Sequence, residues 1–247
     1  MQFTSTLFVI FLLLIVLIYY AFTEKYRWWV LLASSYIFYA SFSPLGFLYL
    51  VPTTIEVFLF AKWISFVNAK YDAKLSQITD KSEKKEVRNL CKKEKKKILT
   101  LALIITFGIL CILKYTNFVC GNILSLFNLA GLKINYKPFS FFIPLGLSFY
   151  TFSAAGYLFD VYNKKYSAET SLPRFALFMS WFPSIIQGPI NRNNQLRSEF
   201  FEKKHPFVLE NMQFAAQRIL WGFLKKLVIA DRADQVVTYI FGSYDKL

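Results

Sequence analysis

The residues best suited to chemistry lie in one short stretch, Gln187-Gly188-Pro189-Ile190-Asn191-Arg192. Glycine followed by proline favours a tight non-helical turn, and Pro183 upstream predicts a second interruption. Pro183, Gly188 and Pro189 would form a structural break that lines a pore, while Gln187, Asn191 and Arg192 would bind substrate. An arginine there could pair with a phosphate or an acidic sugar. The alternative is a turn at a membrane interface with a snorkelling Arg192.

The amino-acid composition indicates the class of protein in which these residues lie. Of the 247 residues, 55% are apolar, 19% aromatic and only 18% charged, and the mean hydropathy is +0.39. Soluble domains carry about 25% charged residues, and several charge-free runs here are long enough to cross a bilayer. The sequence therefore predicts an all-α polytopic membrane protein, a multi-helix transmembrane bundle with a broken, re-entrant segment. A disordered chain, a disulfide scaffold and a free nucleic-acid binder are excluded.

Charge predicts the orientation. Residues 62–97 hold 12 Lys/Arg against 5 Asp/Glu, half of the net charge of +14. Basic loops mark the cytoplasmic side and attract anionic lipid, so the N-terminus is predicted to be extracytoplasmic. Docking of an acidic cytosolic partner is the alternative use of this stretch. Because Lys outnumbers Arg 22 to 7, which indicates an AT-rich bacterial genome, we expect a multi-pass protein of a bacterial plasma membrane.

Hydropathy divides the chain into three parts: N-terminal transmembrane helices in 1–61, a basic cytoplasmic loop and helix in 62–97, and a transmembrane core in 98–247. The core is predicted to contain an apolar helix over 98–113, which continues a helix over 81–97, and a separate helix over 118–130.

The segment 174–192 is apolar but short and broken. Irregular backbone at membrane depth must be satisfied by protein or by a water-filled cavity. We therefore expect it to fold against 144–159 and an amphipathic helix over 207–230, with Gln187 and Arg192 facing a polar cavity.

Other residues offer less chemistry. Glu56 is an acid in an apolar run, which is costly and usually functional, although nearby Lys62 favours a position at the interface. Tyr150 and Tyr157 share a helix face and are predicted to pack. The three cysteines have no metal-ligand spacing, so we expect free thiols and no metal site: Cys91, Cys111 and Cys120.

Several motifs occur in an order and at spacings that resemble the membrane-bound O-acyltransferase family, and within it the alginate O-acetyltransferase branch. They are Leu113-Lys-Tyr-Thr-Asn-Phe118, Pro144-Leu-Gly-Leu-Ser-Phe-Tyr-Thr-Phe152, Tyr157-Leu-Phe-Asp-Val-Tyr162, Ser180-Trp-Phe-Pro183, the stretch 187–192, and Gly222-Phe-Leu-Lys-Lys-Leu-Val-Ile-Ala-Asp231.

The resemblance implies transfer of an acyl group from a cytosolic donor to a hydroxyl of a cell-surface polysaccharide or peptidoglycan. The donor would be acetyl-CoA, with no bound cofactor. Membrane lipid and an extracytoplasmic acyl-transfer protein would be the partners, and nucleic acid would not. A buried histidine would serve as general base toward the acceptor hydroxyl.

The sequence departs from the family at this histidine. Its one histidine, His205, precedes a proline in a charged loop, whereas the family's histidine lies on a later membrane segment. His205 is therefore interpreted as an exposed loop residue, and no catalytic residue is assigned. We expect this chain to be the N-terminal half of an acyltransferase and inactive by itself. D-alanyl transfer to teichoic acid and a non-enzymatic transporter or membrane scaffold remain as alternatives.

Overall fold

The computed structural model describes residues 3–129, 137–186 and 188–242, and the regular structure in these residues is entirely helical. The predicted all-α class is confirmed. The helices are α1 Thr6–Ala21, α2 Arg27–Phe42, α3 Phe47–Gln77, α4 Lys81–Leu129, α5 Leu147–Tyr162, α6 Leu172–Ser180, α7 Phe182–Ile185, α8 Asn193–Arg197, α9 Leu209–Leu224 and α10 Asp231–Gly242. Two π-helical segments, Ser198–Glu202 and Lys225–Ala230, follow α8 and α9.

Contacts divide the chain into two units. One contains residues 3–24 and 204–242, and the other contains residues 25–203. In the first unit, Ser5 caps α1 by accepting a hydrogen bond from the Phe8 N–H (3.2 Å), and Tyr20 meets Phe207 edge to face (5.2 Å). These two units are defined by contacts between residues. The three predicted parts, 1–61, 62–97 and 98–247, are defined by position relative to a membrane, and they stay a prediction.

The second unit is built on a long helical hairpin. Helix α3 has 31 residues and α4 has 49, with only residues 78–80 between them. The Asp80 carboxylate accepts a hydrogen bond from the Glu83 N–H (3.3 Å) at the start of α4, the usual role of an N-cap acid. The basic stretch 62–97 is therefore almost wholly helical, and the predicted helix over 81–97 is present.

The separate helix predicted over 118–130 was wrong, because α4 continues without interruption from Lys81 to Leu129. The polar residues between the two apolar stretches include no proline. One of them bonds within the helix, since the Thr116 hydroxyl donates to the Ile112 carbonyl one turn earlier (2.6 Å). The polar residues 114–117 therefore interrupt the apolar run without ending the helix.

Both helices of the hairpin are long and apolar enough to cross a membrane. Large apolar side chains remain exposed along them, for example Leu48 (70%), Phe66 (68%) and Phe118 (70%). Exposed apolar faces of this extent are unusual on soluble monomers. Together with the length of the helices, they indicate a membrane protein.

Helices α5 and α6 pack against the hairpin and complete the core of this unit. Tyr157 of α5 contacts Phe175 of α6 (ring centroids 4.7 Å apart), and Phe175 also meets Phe58 of α3 (6.0 Å). Small residues such as Ala154 allow close approach and are fully buried. This core fixes both ends of α5, from which the segments that carry the candidate site extend.

Candidate functional site

The predicted break in the chain is present between α6 and α8. Helix α6 ends at Ser180, Pro183 lies in the first turn of the short α7, and residues 188–192 are non-helical. The Gly188 N–H donates to the Ser184 carbonyl (3.0 Å), and the Asn191 amide donates to the Ser184 hydroxyl (2.5 Å). A Cβ on Gly188 would overlap the Ser184 backbone. Glycine is therefore required for this turn.

Helix α2 supplies polar groups to the irregular backbone. The Phe182 N–H donates to the Ser35 hydroxyl (3.3 Å), and the Tyr39 hydroxyl donates to the Leu145 carbonyl (3.1 Å). Ser35 and Tyr39 are fully buried, one turn apart on α2. These hydrogen bonds satisfy backbone groups of the irregular segments, as expected from the sequence. The helix that supplies them, α2, was not among the predicted partners of the break.

The N-terminal end of α5 closes on α7. Gly146 has a left-handed backbone (φ +72°), and a Cβ on it would overlap the Ile185 carbonyl. The segment 174–192 therefore folds against 144–159, as expected. Its packing against 207–230 stays a prediction. Gln187 lies outside the described residues, so its predicted substrate contact also stays a prediction.

The structure places Arg192 beside Asp160, near the C-terminal end of α5. Asp160 is buried (7% exposed). Its carboxylate accepts hydrogen bonds from Lys165 Nζ (2.7 Å) and, more weakly, from the Tyr166 hydroxyl (3.4 Å). Burial, reinforced by the Asp160 charge, raises the pKa of Tyr166, so the phenol stays protonated and donates. The Arg192 guanidinium is 3.9 Å from the same carboxylate and its side chain is 61% exposed.

The Asp160 carboxylate thus orients the Arg192 guanidinium. It does not fully neutralise the Arg192 charge, because Lys165 lies closer to the same carboxylate. A guanidinium with most of its donors exposed can still bind an anion in a bidentate way. Because Asp160 directly follows an apolar run, the sequence predicts only that it caps a helix or pairs locally. Its position directly after an apolar run, ahead of two lysines, was the signal that an acid would be held there.

A second buried acid, Glu169, was missed entirely. Its N–H donates to the Tyr157 hydroxyl (2.8 Å), and its carboxylate accepts from the Thr170 N–H (3.0 Å) and lies 3.7 Å from Arg197. Because Arg197 ends α8, this ion pair ties the helix after the break to the loop after α5. Nothing in the polar sequence around Glu169 distinguishes it from an exposed loop acid.

Two other titratable residues have clear positions. The half-buried Glu56 of α3 accepts a hydrogen bond from Thr106 of α4 (3.0 Å), so it joins the two helices of the hairpin. His205, expected to be exposed, is half-buried in the irregular stretch before α9, within the other unit. Among the described residues, no group of His, Cys, Asp and Glu comes together that could hold a metal ion.

The cluster of Asp160, Lys165, Tyr166 and Arg192, with the turn 183–192, is suited to binding and orienting a ligand. Its chemical groups are a carboxylate, two cations and a protonated phenol.

Comparison with known proteins shows that the chain is similar to bacterial O-acetylases. It is 32% identical to the probable alginate O-acetylase AlgI of Pseudomonas syringae pv. tomato over 245 residues, which are 98% of this chain and 42% of that protein. It is 28% identical to the probable alginate O-acetylase AlgI of Azotobacter vinelandii over 249 residues, 99% of this chain and 44% of the relative. No family model matches the chain, and no solved structure matches it significantly.

A peptidoglycan O-acetyltransferase of Helicobacter pylori is 26% identical over 168 residues, 58% of this chain and 31% of that protein. The chain therefore spans less than half of the length of these relatives. The resemblance to the membrane-bound O-acyltransferase family is confirmed by these relatives, whose names are those of O-acetylases and O-acetyltransferases. Over nearly its whole length, the chain is similar to the N-terminal part of the alginate O-acetylases.

Proposed function

We propose that this chain is the N-terminal part of a multi-pass O-acyltransferase of a bacterial plasma membrane, which acetylates hydroxyls of a cell-surface polysaccharide or peptidoglycan. The acetyl group would come from a cytosolic donor, acetyl-CoA. The single observation that carries the proposal is similarity to O-acetylases over 98% of the chain. The two apolar helices and their exposed apolar faces support a position in the membrane.

In this proposal the turn 183–192 lines the route of donor or acceptor, with Gln187, Asn191 and Arg192 toward the ligand. Three facts support a binding role for Arg192. It follows an obligatory turn, a buried carboxylate orients it, and most of its side chain is exposed. A phosphate of the donor or the carboxylate of an acidic sugar would satisfy the guanidinium. The general base implied by the resemblance is assigned to no residue of this chain.

Replacement of Arg192 tests the proposal. We expect Arg192→Ala, introduced into the native gene, to lower the ester-linked acetate on the cell surface by about tenfold or more, since a charge-assisted contact contributes about 1.5–3 kcal/mol. The amount of membrane-inserted protein should stay unchanged. Arg232→Ala is the matched control, because Arg232 lies on α10 and its described partner is Gln235 (3.4 Å). Full activity of the Arg192→Ala enzyme would contradict a binding role and would indicate that Arg192 only anchors the turn at the membrane interface.

The identity of the released acid separates the alternatives. Mild alkaline hydrolysis of cell-wall polymers should release less acetate when the native gene is deleted. Loss of D-alanine instead would indicate transfer to teichoic acid. No change in either ester, with altered solute flux across the membrane, would favour a transporter or scaffold and contradict the proposed reaction.

A further inference from the structure

A basic cavity of about 460 Å³ lies where α3, α4 and α5 meet at the basic end of the hairpin. Four cations line it: Arg88, Lys92 and Lys95 of α4, and Lys164 directly after α5. Asp72 is the acid in the lining. The three α4 residues follow spacings of four and three, so they project from one face of the helix. The cavity shares no lining residue with the Asp160 cluster, although Lys164 directly precedes Lys165 of that cluster in the chain.

Lys164 occupies a position where glycine is the usual residue. Helix α5 ends in a Schellman motif, in which the Lys164 N–H donates to the Val161 carbonyl and the Lys165 N–H to the Asp160 carbonyl (both 3.0 Å). The left-handed residue of this motif is usually Gly or Asn, but here it is a lysine with φ +58°. Its ammonium reaches Asp72 of α3 (2.6 Å). A strained lysine backbone thus holds a cation at the wall of the cavity.

The Lys95 ammonium already has partners within the protein. Its ammonium donates to the Tyr162 carbonyl at the C-terminal end of α5 (2.7 Å), where the helix dipole favours a cation. It also lies over the Tyr162 ring (4.5 Å). Lys95 therefore fixes the inner wall of the cavity.

Arg88 and Lys92 form no hydrogen bond or ion pair with the part of the chain that the structure describes, and they flank the cavity one helical turn apart. Even counting Asp72, the lining carries a net charge of +3. The cavity volume lies in the range of small-ligand pockets, roughly 300–1,000 Å³. A concave site with excess fixed positive charge concentrates anions.

The position of the cavity along α4 indicates which class of anion could bind there. Lys95 lies three residues before Ile98, the start of the apolar part of α4, which is roughly 5 Å along a helix. The cavity is thus level with the boundary at which phosphate groups of lipids would lie if the hairpin spans a bilayer.

We infer that this cavity binds a phosphate ester, with Arg88, Lys92 and Lys164 as its ligands. The phosphate belongs either to a soluble molecule or to an anionic lipid headgroup. The inference stands apart from the proposed acetyl transfer, because it rests on the charges and geometry of the cavity alone.

The experiment uses protein purified from the native gene in nanodiscs. In phosphatidylcholine nanodiscs, binding of inorganic pyrophosphate is measured by calorimetry. In nanodiscs that also contain phosphatidylglycerol, the anionic lipid retained per protein is measured by native mass spectrometry. The variants are the double change Arg88→Gln with Lys92→Gln, and a control with Lys93→Gln and Lys96→Gln. The control removes the same charge from the same helix, but its residues line a different groove.

We expect the cavity variant to bind its phosphate about tenfold more weakly or worse, since it lacks two charge-assisted contacts, and the control to stay within about twofold. Lys164→Gly should also weaken binding while the melting temperature is kept, because glycine suits the left-handed position. Pyrophosphate binding identifies a soluble ligand, and retained phosphatidylglycerol alone identifies a lipid. Failure of wild-type protein to bind either probe, or equal losses in the cavity variant and the control, would overturn the inference.

Discussion

At the scale of the residue, Gly146 is the clearest case of a position that the fold restricts to one amino acid. Its left-handed backbone and its contact with the Ile185 carbonyl each exclude a side chain. We expect Gly146→Ala to lower the free energy of unfolding by about 2 kcal/mol or more, from backbone strain and overlap together. The measurement is the thermal midpoint of the purified protein in nanodiscs.

Gly156 of the same helix provides the control, since a Cβ there meets open space. Gly156→Ala should be neutral or stabilising by about 0.5–1 kcal/mol, as expected for Gly replaced in a helix interior. Equal effects of the two changes would show that the approach of α5 to α7 does not depend on Gly146.

Two buried tyrosines of α5, Tyr150 and Tyr157, allow a matched test of a single hydrogen bond. Of these two, only the Tyr157 hydroxyl has a partner among the described residues, the Glu169 N–H. Tyr157→Phe should therefore destabilise by about 1–3 kcal/mol, because a buried N–H loses its acceptor. Tyr150→Phe should be neutral or stabilising, since it removes an unsatisfied hydroxyl. Paired melting curves check both, and an unaffected Tyr157→Phe protein would contradict the role given to this bond.

Residue-scale prediction succeeded where an amino acid has an intrinsic backbone preference. Pro183 and Gly188 marked real interruptions because their conformational limits act locally. Asp160 was expected only to cap or pair locally, and Glu169 was not singled out, because their partners Arg192 and Arg197 follow about 30 residues later. A lysine in a left-handed conformation at position 164 could not be predicted either, since its stabilising partner, Asp72, lies on α3.

At the scale of the element, Asn117 ties the non-helical stretch before α5 to α4. Its amide donates to the Phe139 carbonyl (2.7 Å), and its carbonyl oxygen accepts from the Phe139 N–H (2.9 Å). The side chain thus pairs with one backbone unit as a neighbouring strand would. We expect Asn117→Ala to increase hydrogen exchange in residues 137–146, measured by mass spectrometry, while exchange in α5 stays unchanged.

Asn122→Ala is the control for this element. The Asn122 amide donates only within its own helix, to the Phe118 carbonyl (2.8 Å), so its loss should leave residues 137–146 unaffected. If both variants exchange alike, the two hydrogen bonds of Asn117 do not hold the segment. The structure thus gives Asn117 a specific partner 22 residues away.

Element-scale prediction worked best for helices defined by hydrophobicity and least for their ends. The apolar run 98–113 and the basic helix 81–97 are both present in α4. The helix end predicted at residue 113 was wrong, because lysine, tyrosine, threonine and asparagine at 114–117 reduce hydropathy without breaking a helix. Real ends occur where proline, glycine or a capping acid such as Asp80 changes the backbone hydrogen bonding.

At the scale of the whole molecule, the second unit has two distinct ends. The ion pair of Lys164 with Asp72 and the bond from Lys95 to Tyr162 place the loop after α5 beside the basic start of α4. Asn117 lies 20 residues beyond Lys97, roughly 30 Å along α4, and it holds Phe139 at that distance. This separation equals the thickness of a bilayer hydrocarbon core, about 30 Å. The two ends should therefore lie on opposite sides of the membrane.

Cysteine labelling tests both the separation and the predicted orientation. Single cysteines at the exposed positions Ser82, Ser167 and Ser140 would be introduced into protein whose native cysteines are replaced by serine. Positive charge is retained on the cytoplasmic side, so Ser82→Cys and Ser167→Cys should react with a membrane-impermeant maleimide only after cells are permeabilised. Ser140→Cys should react in intact cells. The reverse pattern would invert the orientation and place the basic cavity outside, whereas equal reactivity at all three positions would contradict a hairpin that crosses the membrane.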